Sequence, residues 1–97
     1  MEIQIFDKND RVYLDFIAKN PNSLVVNTRR KNHNDYFILH KSTCRHIRNE
    51  ESHEKGAFTE RKYIKICSNS IKDLKNWFNN NDELFTGDFH YCGSCNP

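Results

Sequence analysis

The chain has 97 residues, of which 36% are hydrophobic and 12% aromatic, and its formal net charge is +2. A chain this short predicts one small domain with a thin core, in which seven Phe, four Tyr and one Trp supply much of the burial. Fifteen basic residues against thirteen acidic ones leave too small an excess to indicate nucleic-acid binding without a local basic patch.

The apolar runs are all far shorter than the roughly 20 residues that span a bilayer. The opening stretch MEIQIFDKND also lacks the basic and apolar regions of a secretory signal. We therefore expect a cytoplasmic protein without a membrane partner. In that reducing compartment four cysteines favour metal binding, whereas two disulfides are the alternative for a secreted chain.

The first half of the chain predicts a helix and a hairpin. In NDRVYLDFIAKN the apolar residues Val12, Tyr13, Phe16 and Ile17 recur at helical spacing, with Asn9 or Asp10 as N-cap and Pro21 beyond the end. The runs SLVVNT and YFILH then predict two paired strands near 24–28 and 36–40. The basic residues Arg29, Arg30 and Lys31 would lie at the tip of this hairpin.

The second half predicts a short helical turn near 44–49, a charged loop over 50–60, a strand at 63–67 and a second helix. Ser70 is placed as the N-cap of that helix, with Asp73 three residues later. Gly87 marks a turn before the C-terminal cysteines. The order predicts an α+β fold, with a small antiparallel three-stranded sheet and two helices on one face, closed by one structural zinc.

The cysteines and one histidine form two pairs with metal-ligand spacing. Cys92 and Cys95 are separated by Gly93-Ser94, a turn that brings both sulfurs to one ion and in which Gly permits tight dihedrals. His40 and Cys44 offer the second pair, while Cys67 competes with His40 as the fourth ligand. A redox dithiol is the other use of CxxC, but it normally precedes a helix, and only two residues follow Cys95.

The segments YFILHKSTCRHI, YIKICSNSIKDLKNWF and FHYCGSCNP together resemble the Ada-like metal-binding domain. That family has a ligand-x3-Cys pair, a strand leading into a short helix, and a C-terminal CxxC with Pro close behind. The resemblance covers about residues 36–97 and implies zinc and a small α+β fold, with an N-terminal helix-hairpin extension completing a single domain over 1–97. It also favours His40 over Cys67, because the family has an apolar residue at the latter position.

The best-known member of that family is a DNA-repair methyltransferase domain in which a zinc-bound Cys accepts the methyl group. His40 cannot serve as such a thiolate, and the two ligand pairs lie farther apart here, so the resemblance does not extend to methyl transfer. A zinc ion with four protein ligands also has no open position for a catalytic water, which predicts that the protein is not an enzyme. The resemblance instead implies DNA binding.

Basic residues near the predicted site could form one phosphate-facing surface, or they could be solvated charges offset by acidic neighbours. The residues in question are Arg29, Arg30, Lys31, Lys41, Arg45 and Arg48, with Arg61, Lys62 and Lys65 nearby. We expect a non-catalytic zinc module that binds DNA or RNA. The alternative is an adaptor that binds a protein partner, such as a small regulatory or phage-type accessory protein.

Overall fold

A computed structural model of the chain describes residues 3–30, 36–50 and 53–97. Within these ranges the chain forms five strands and two α-helices. The strands are β1 (Gln4–Phe6), β2 (Leu24–Arg29), β3 (Phe37–Lys41), β4 (Tyr63–Ser68) and β5 (His90–Tyr91). The helices are α1 (Asp10–Lys19) and α2 (Ile71–Asn81), and a 3₁₀ turn covers Arg45–Ile47.

The five strands form one mixed sheet in the order β1-β4-β2-β3-β5. The β2–β3 hairpin and the pairing of β4 with β2 are antiparallel, as is the pairing of β1 with β4. The pairing of β3 with β5 is parallel. The α+β class is therefore confirmed, but the prediction of a three-stranded antiparallel sheet is wrong. The two missed strands have only three and two residues, too few for an alternating pattern to show.

The helices pack on opposite faces of the sheet, so the prediction that both lie on one face is also wrong. Tyr13 and Ile17 of α1 pack with Val25 and Cys67 on one side. Leu74 and Phe78 of α2 belong to the cluster on the other side, with Phe37, Leu39, Phe85 and Phe89. Successive residues such as Val25 and Val26 point to opposite faces and are both fully buried. A strand buried on both faces needs a helix on each.

Both helix starts follow the predicted local chemistry. The Asn9 side-chain oxygen accepts a hydrogen bond from the Val12 amide at 3.2 Å, and the Ser70 hydroxyl accepts one from the Asp73 amide at 3.2 Å. Each bond satisfies one amide that the first helical turn leaves unpaired. The predicted apolar face of α1 is correct only in part, because Val12 lies exposed while Tyr13 and Ile17 are buried.

The charged segment before β4 is anchored to the core rather than lying on the surface throughout. Phe58 and Thr59 are buried, and the Asp10 carboxylate accepts hydrogen bonds from both the amide and the hydroxyl of Thr59. Lys65 is only 2% exposed, and its ammonium donates to the Phe58 carbonyl at 2.5 Å and to the Asn27 side chain at 2.9 Å. Burial lowers the pKa of Lys65 to about 8. Lys65 therefore does not belong to a basic surface.

Candidate metal centre

The parallel pairing of β5 with β3 brings the two predicted ligand pairs together. Ile38 pairs with His90 and Leu39 with Tyr91, so the carboxyl ends of both strands lie at the same end of the sheet. The Cys92 amide extends the pairing by donating to the Leu39 carbonyl at 3.0 Å. His40 follows Leu39 directly, and Cys44 follows a tight turn in which the Cys44 amide donates to the Lys41 carbonyl at 2.9 Å. The C-terminal pair is thus placed beside the first pair.

Four side chains converge at this end of the sheet. One donor atom from each of His40, Cys44, Cys92 and Cys95 lies within 4.8 Å of all the others. The sulfurs of Cys44 and Cys92 are 3.9 Å apart, whereas a disulfide bond is about 2.05 Å long. Two thiolates bound tetrahedrally to one zinc at about 2.3 Å would lie about 3.8 Å apart. The cysteines are free, and their spacing suits a shared ion.

His40 has a ring nitrogen that could bind a metal ion and that forms no hydrogen bond in the described residues. The residue is only 6% exposed, and within the described ranges its Nδ1 atom is buried without a hydrogen-bond partner. Such an atom costs free energy unless a partner satisfies it, and a metal ion could be that partner. Burial lowers the pKa of His40 to about 4, with Lys65 and His46 adding to the effect. The imidazole is therefore neutral at pH 7, as a metal ligand must be.

The surroundings of Cys44 and Cys92 shift the pKa values of their thiols in opposite directions. The pKa of Cys44 is raised to about 12, chiefly by burial and in part by the neighbouring thiols Cys95 and Cys92. Burial acts in the same direction on Cys92, but hydrogen bonds from the backbone amides of Cys95 and Ser94 outweigh it and lower the pKa of Cys92. The CxxC turn therefore stabilises a thiolate at Cys92. A divalent cation would offset the burial cost that keeps Cys44 protonated.

Further hydrogen bonds fix the C-terminal turn against β3. The Lys41 amide donates to the Cys95 sulfur at 3.3 Å, and the Asn96 amide donates to the Cys92 carbonyl at 3.1 Å. His46 Nε2 lies 2.9 Å from the Ser94 hydroxyl, so this histidine contacts the turn between the two cysteines. Gly93 lies outside the left-handed region, and an added Cβ would meet nothing within 4 Å. The expected need for Gly at this position is therefore not found.

Cys67 lies outside this cluster. Val25 pairs with His40 on one side and with Cys67 on the other, so the two side chains share a face but are two strand spacings, or about 10 Å, apart. Cys67 is fully buried in the α1 cluster, and burial raises the pKa of its thiol well above the usual range. It behaves as a small apolar core residue.

Lys41, Arg45 and Arg48 have exposed side chains. Lys41 and Arg45 line a groove of about 590 Å³ with Thr43, Cys44, Ser94 and Cys95, and no carboxylate lines it. Arg48 lines an adjoining groove, which shares Thr43 and Arg45 and also contains Glu50. These three predicted nucleic-acid-binding residues therefore lie together beside the candidate metal centre.

Arg29 and Arg30 lie at the opposite end of the sheet. Leu24 at the start of β2 pairs with Lys41, so Arg29 at its end is about 17 Å away along the strand. The Arg30 guanidinium forms an ion pair with Asp7 at 2.6 Å and also donates to the carbonyls of Thr59 and Arg61. Lys31 lies outside the described residues. The structure does not gather all the predicted basic residues into one surface.

Sequence patterns gave no indication of Tyr91, an exposed aromatic ring on β5, because a two-residue strand carries no periodicity. None of the helices in the described ranges has the length and apolarity to cross a bilayer. Comparisons with protein-family models, curated proteins and solved structures found no match. The Ada-like resemblance therefore stays a prediction.

Proposed function

We propose that the protein is a non-catalytic module in which one zinc ion fastens the C-terminal segment to the β2–β3 hairpin. The observation that carries this proposal is the convergence of one imidazole and three thiols within 4.8 Å. Three soft sulfur donors and one nitrogen favour zinc over magnesium or calcium, which prefer oxygen ligands. Four protein ligands complete a tetrahedral site, leaving no position for a reacting water.

Each part of the cluster supplies something that zinc binding requires. His40 is neutral at pH 7 and has a buried nitrogen without a partner, while backbone amides stabilise the thiolate of Cys92. The Lys41 amide donates to the Cys95 sulfur and would orient that ligand. The zinc ion would supply charge that holds Cys44 in its thiolate form.

Elemental analysis of the purified protein tests the metal assignment. We expect one zinc per chain, and we expect Cys92→Ser to lose it. Cys67→Ala is the matched control, because it removes a cysteine outside the cluster and should retain one zinc. A metal-free preparation, or equal zinc loss in both variants, would refute the assignment.

We propose further that nucleic acid is what this module binds, through the exposed cations beside the zinc site. Lys41, Arg45 and Arg48 supply the positive charge, and the groove containing the first two has no carboxylate in its lining. Such cations attract phosphates and release condensed counterions. The Ada-like resemblance of residues 36–97 supports the same proposal.

A titration of DNA and RNA oligonucleotides at several salt concentrations tests this binding. We expect affinity to fall as salt rises, and each of Lys41→Ala and Arg45→Ala to reduce the slope of log affinity against log salt by about 1. Lys62→Ala is the control, because Lys62 is exposed beside Tyr63, which pairs with Arg29 at the far end of the sheet. Zinc-loaded protein with no salt-sensitive binding would contradict the proposal.

A further inference from the structure

Tyr91 stands out among the exposed apolar side chains. In the described part of the chain, five large hydrophobic residues are more than a third exposed, and Tyr91, at 47%, is the one aromatic among them. The others are Ile5, Val12, Ile71 and Leu84. Tyr91 also directly precedes Cys92, at the end of the sheet where the metal ligands converge. The exposed ring therefore lies one residue before a candidate ligand but on the α2 face of the sheet, whereas Cys92 packs against the α1 cluster.

The sheet register places this ring on the same face as Lys41, a residue of the basic groove. Tyr91 pairs with Leu39, so the two side chains lie on the same face of the sheet. Lys41 is two residues beyond Leu39 and shares that face. Lys41 also lines the groove with Arg45, so this lysine connects the face that carries the ring with the groove.

The ring is held in one orientation before any ligand arrives. Its hydroxyl donates to the Asp88 carboxylate at 2.9 Å, and Lys75 of α2 pairs with that carboxylate at 3.1 Å. The negative charge nearest the ring is therefore already paired with a cation. A ring fixed at its hydroxyl end loses little conformational freedom when another ring stacks on it.

We propose that Tyr91 is a stacking platform for a base of single-stranded nucleic acid, whose phosphates lie along the groove beside Lys41 and Arg45. This proposal rests on nucleic-acid binding as the proposed function and specifies the kind of strand. An exposed ring beside a positively charged groove is the usual arrangement for binding single strands with little sequence preference. In a duplex the base faces are stacked on one another and are not available to Tyr91.

The test compares an oligothymidylate of about 12 nucleotides with a mixed-sequence duplex of equal length, using the zinc-loaded protein. We expect tighter binding of the single strand. Tyr91→Leu keeps apolar bulk in β5 but has no ring to stack, and it should weaken single-strand binding about 5-fold or more. Tyr91→Phe retains the ring and should retain most of the affinity. Leu84→Ala, which alters a side chain that is 41% exposed at the Arg29 end, is the control.

Zinc content and thermal melting of each variant show whether residues 92–97 are still held by zinc, an attachment that we call the C-terminal clamp. If Tyr91→Leu loses zinc, Tyr91→Phe keeps the test usable. Duplex binding equal to or tighter than single-strand binding would overturn the stacking platform while leaving nucleic-acid binding in place. Unchanged single-strand affinity in zinc-loaded Tyr91→Leu would do the same. If the wild-type protein bound neither oligonucleotide, both proposals would fall.

Discussion

Removing zinc should release the C-terminal segment, because the hydrogen bonds that hold residues 92–97 in place are weak. Besides the contact between the Cys44 and Cys92 sulfurs, three hydrogen bonds tie this segment to the rest of the described residues: the Cys92 amide to Leu39, the Lys41 amide to Cys95, and His46 with Ser94. At a net value of about 0.5–1.5 kcal/mol each, they contribute roughly 1.5–4.5 kcal/mol. Ordering six residues of backbone costs roughly 6–12 kcal/mol. At the midpoints of these ranges, the hydrogen bonds therefore fall short by about 6 kcal/mol.

Structural zinc supplies about 10–16 kcal/mol of apparent binding free energy, which exceeds this deficit. The amount is comparable with the whole unfolding free energy of a chain this size, about 5–15 kcal/mol. We therefore expect chelation to lower the melting temperature by about 20 °C or more. The loss should begin at the Cys92 amide, whose hydrogen exchange should become fast once β5 leaves β3.

Calorimetry and hydrogen exchange on zinc-loaded and chelator-treated protein measure both effects. Cys92→Ser should behave like the chelated protein. Cys67→Ala should keep its zinc, melt somewhat lower because of the cavity in the core, and still lose stability on chelation. If chelation removed the zinc and left both the melting temperature and the exchange of the Cys92 amide unchanged, the clamp would not exist.

Three further changes probe the rest of the fold. The ammonium of Lys65 loses its proton near pH 8 in the folded protein but near 10.5 when unfolded, so its contribution to stability rises between these values and is lost as pH falls through 8. In urea titrations the unfolding free energy of wild type relative to Lys65→Met should therefore rise by up to about 3 kcal/mol from pH 8 to 10.5, and a constant difference would contradict this. Tyr13→Phe removes a buried 2.6 Å hydrogen bond to the Ile47 carbonyl and should cost about 1–3 kcal/mol in the same assay, whereas an unchanged midpoint would show that the carbonyl finds another donor. Ser70→Ala removes the N-cap of α2 and should cost about 1 kcal/mol, with Ser70→Gly recovering most of it.

The sequence predicted those features that depend on neighbouring residues. Both α-helices, their N-caps at Asn9 or Asp10 and at Ser70, and the β2–β3 hairpin follow from local periodicity and capping chemistry. The CxxC and HxxxC spacings also predicted the four side chains that converge, although Cys67 was left as an alternative to His40. Local patterns could not reveal β1 or β5, since their pairing partners lie far along the chain.

The basic residues show the same limit. Lys65 alternates in the sequence like a surface residue, yet it is buried because β4 is a central strand covered by a helix on each face. Arg30 and Lys41 were predicted to belong to one phosphate-facing surface, but they lie at opposite ends of the sheet. Which cations can act together depends on strand register, which no residue count determines.

The amino-acid sequence by itself determined both α-helices with their N-caps, the three longer strands and three candidate ligands, with His40 or Cys67 as the fourth, because these follow from interactions within a few residues. Only the tertiary structure decided that β5 pairs parallel to β3, that Val25 separates Cys67 from His40, and that Tyr91 shares a face of the sheet with Lys41. These relations depend on strands pairing across long stretches of chain. The spacing of residues predicted the candidate ligands, whereas the order of the strands determined which residues lie on the surface around them.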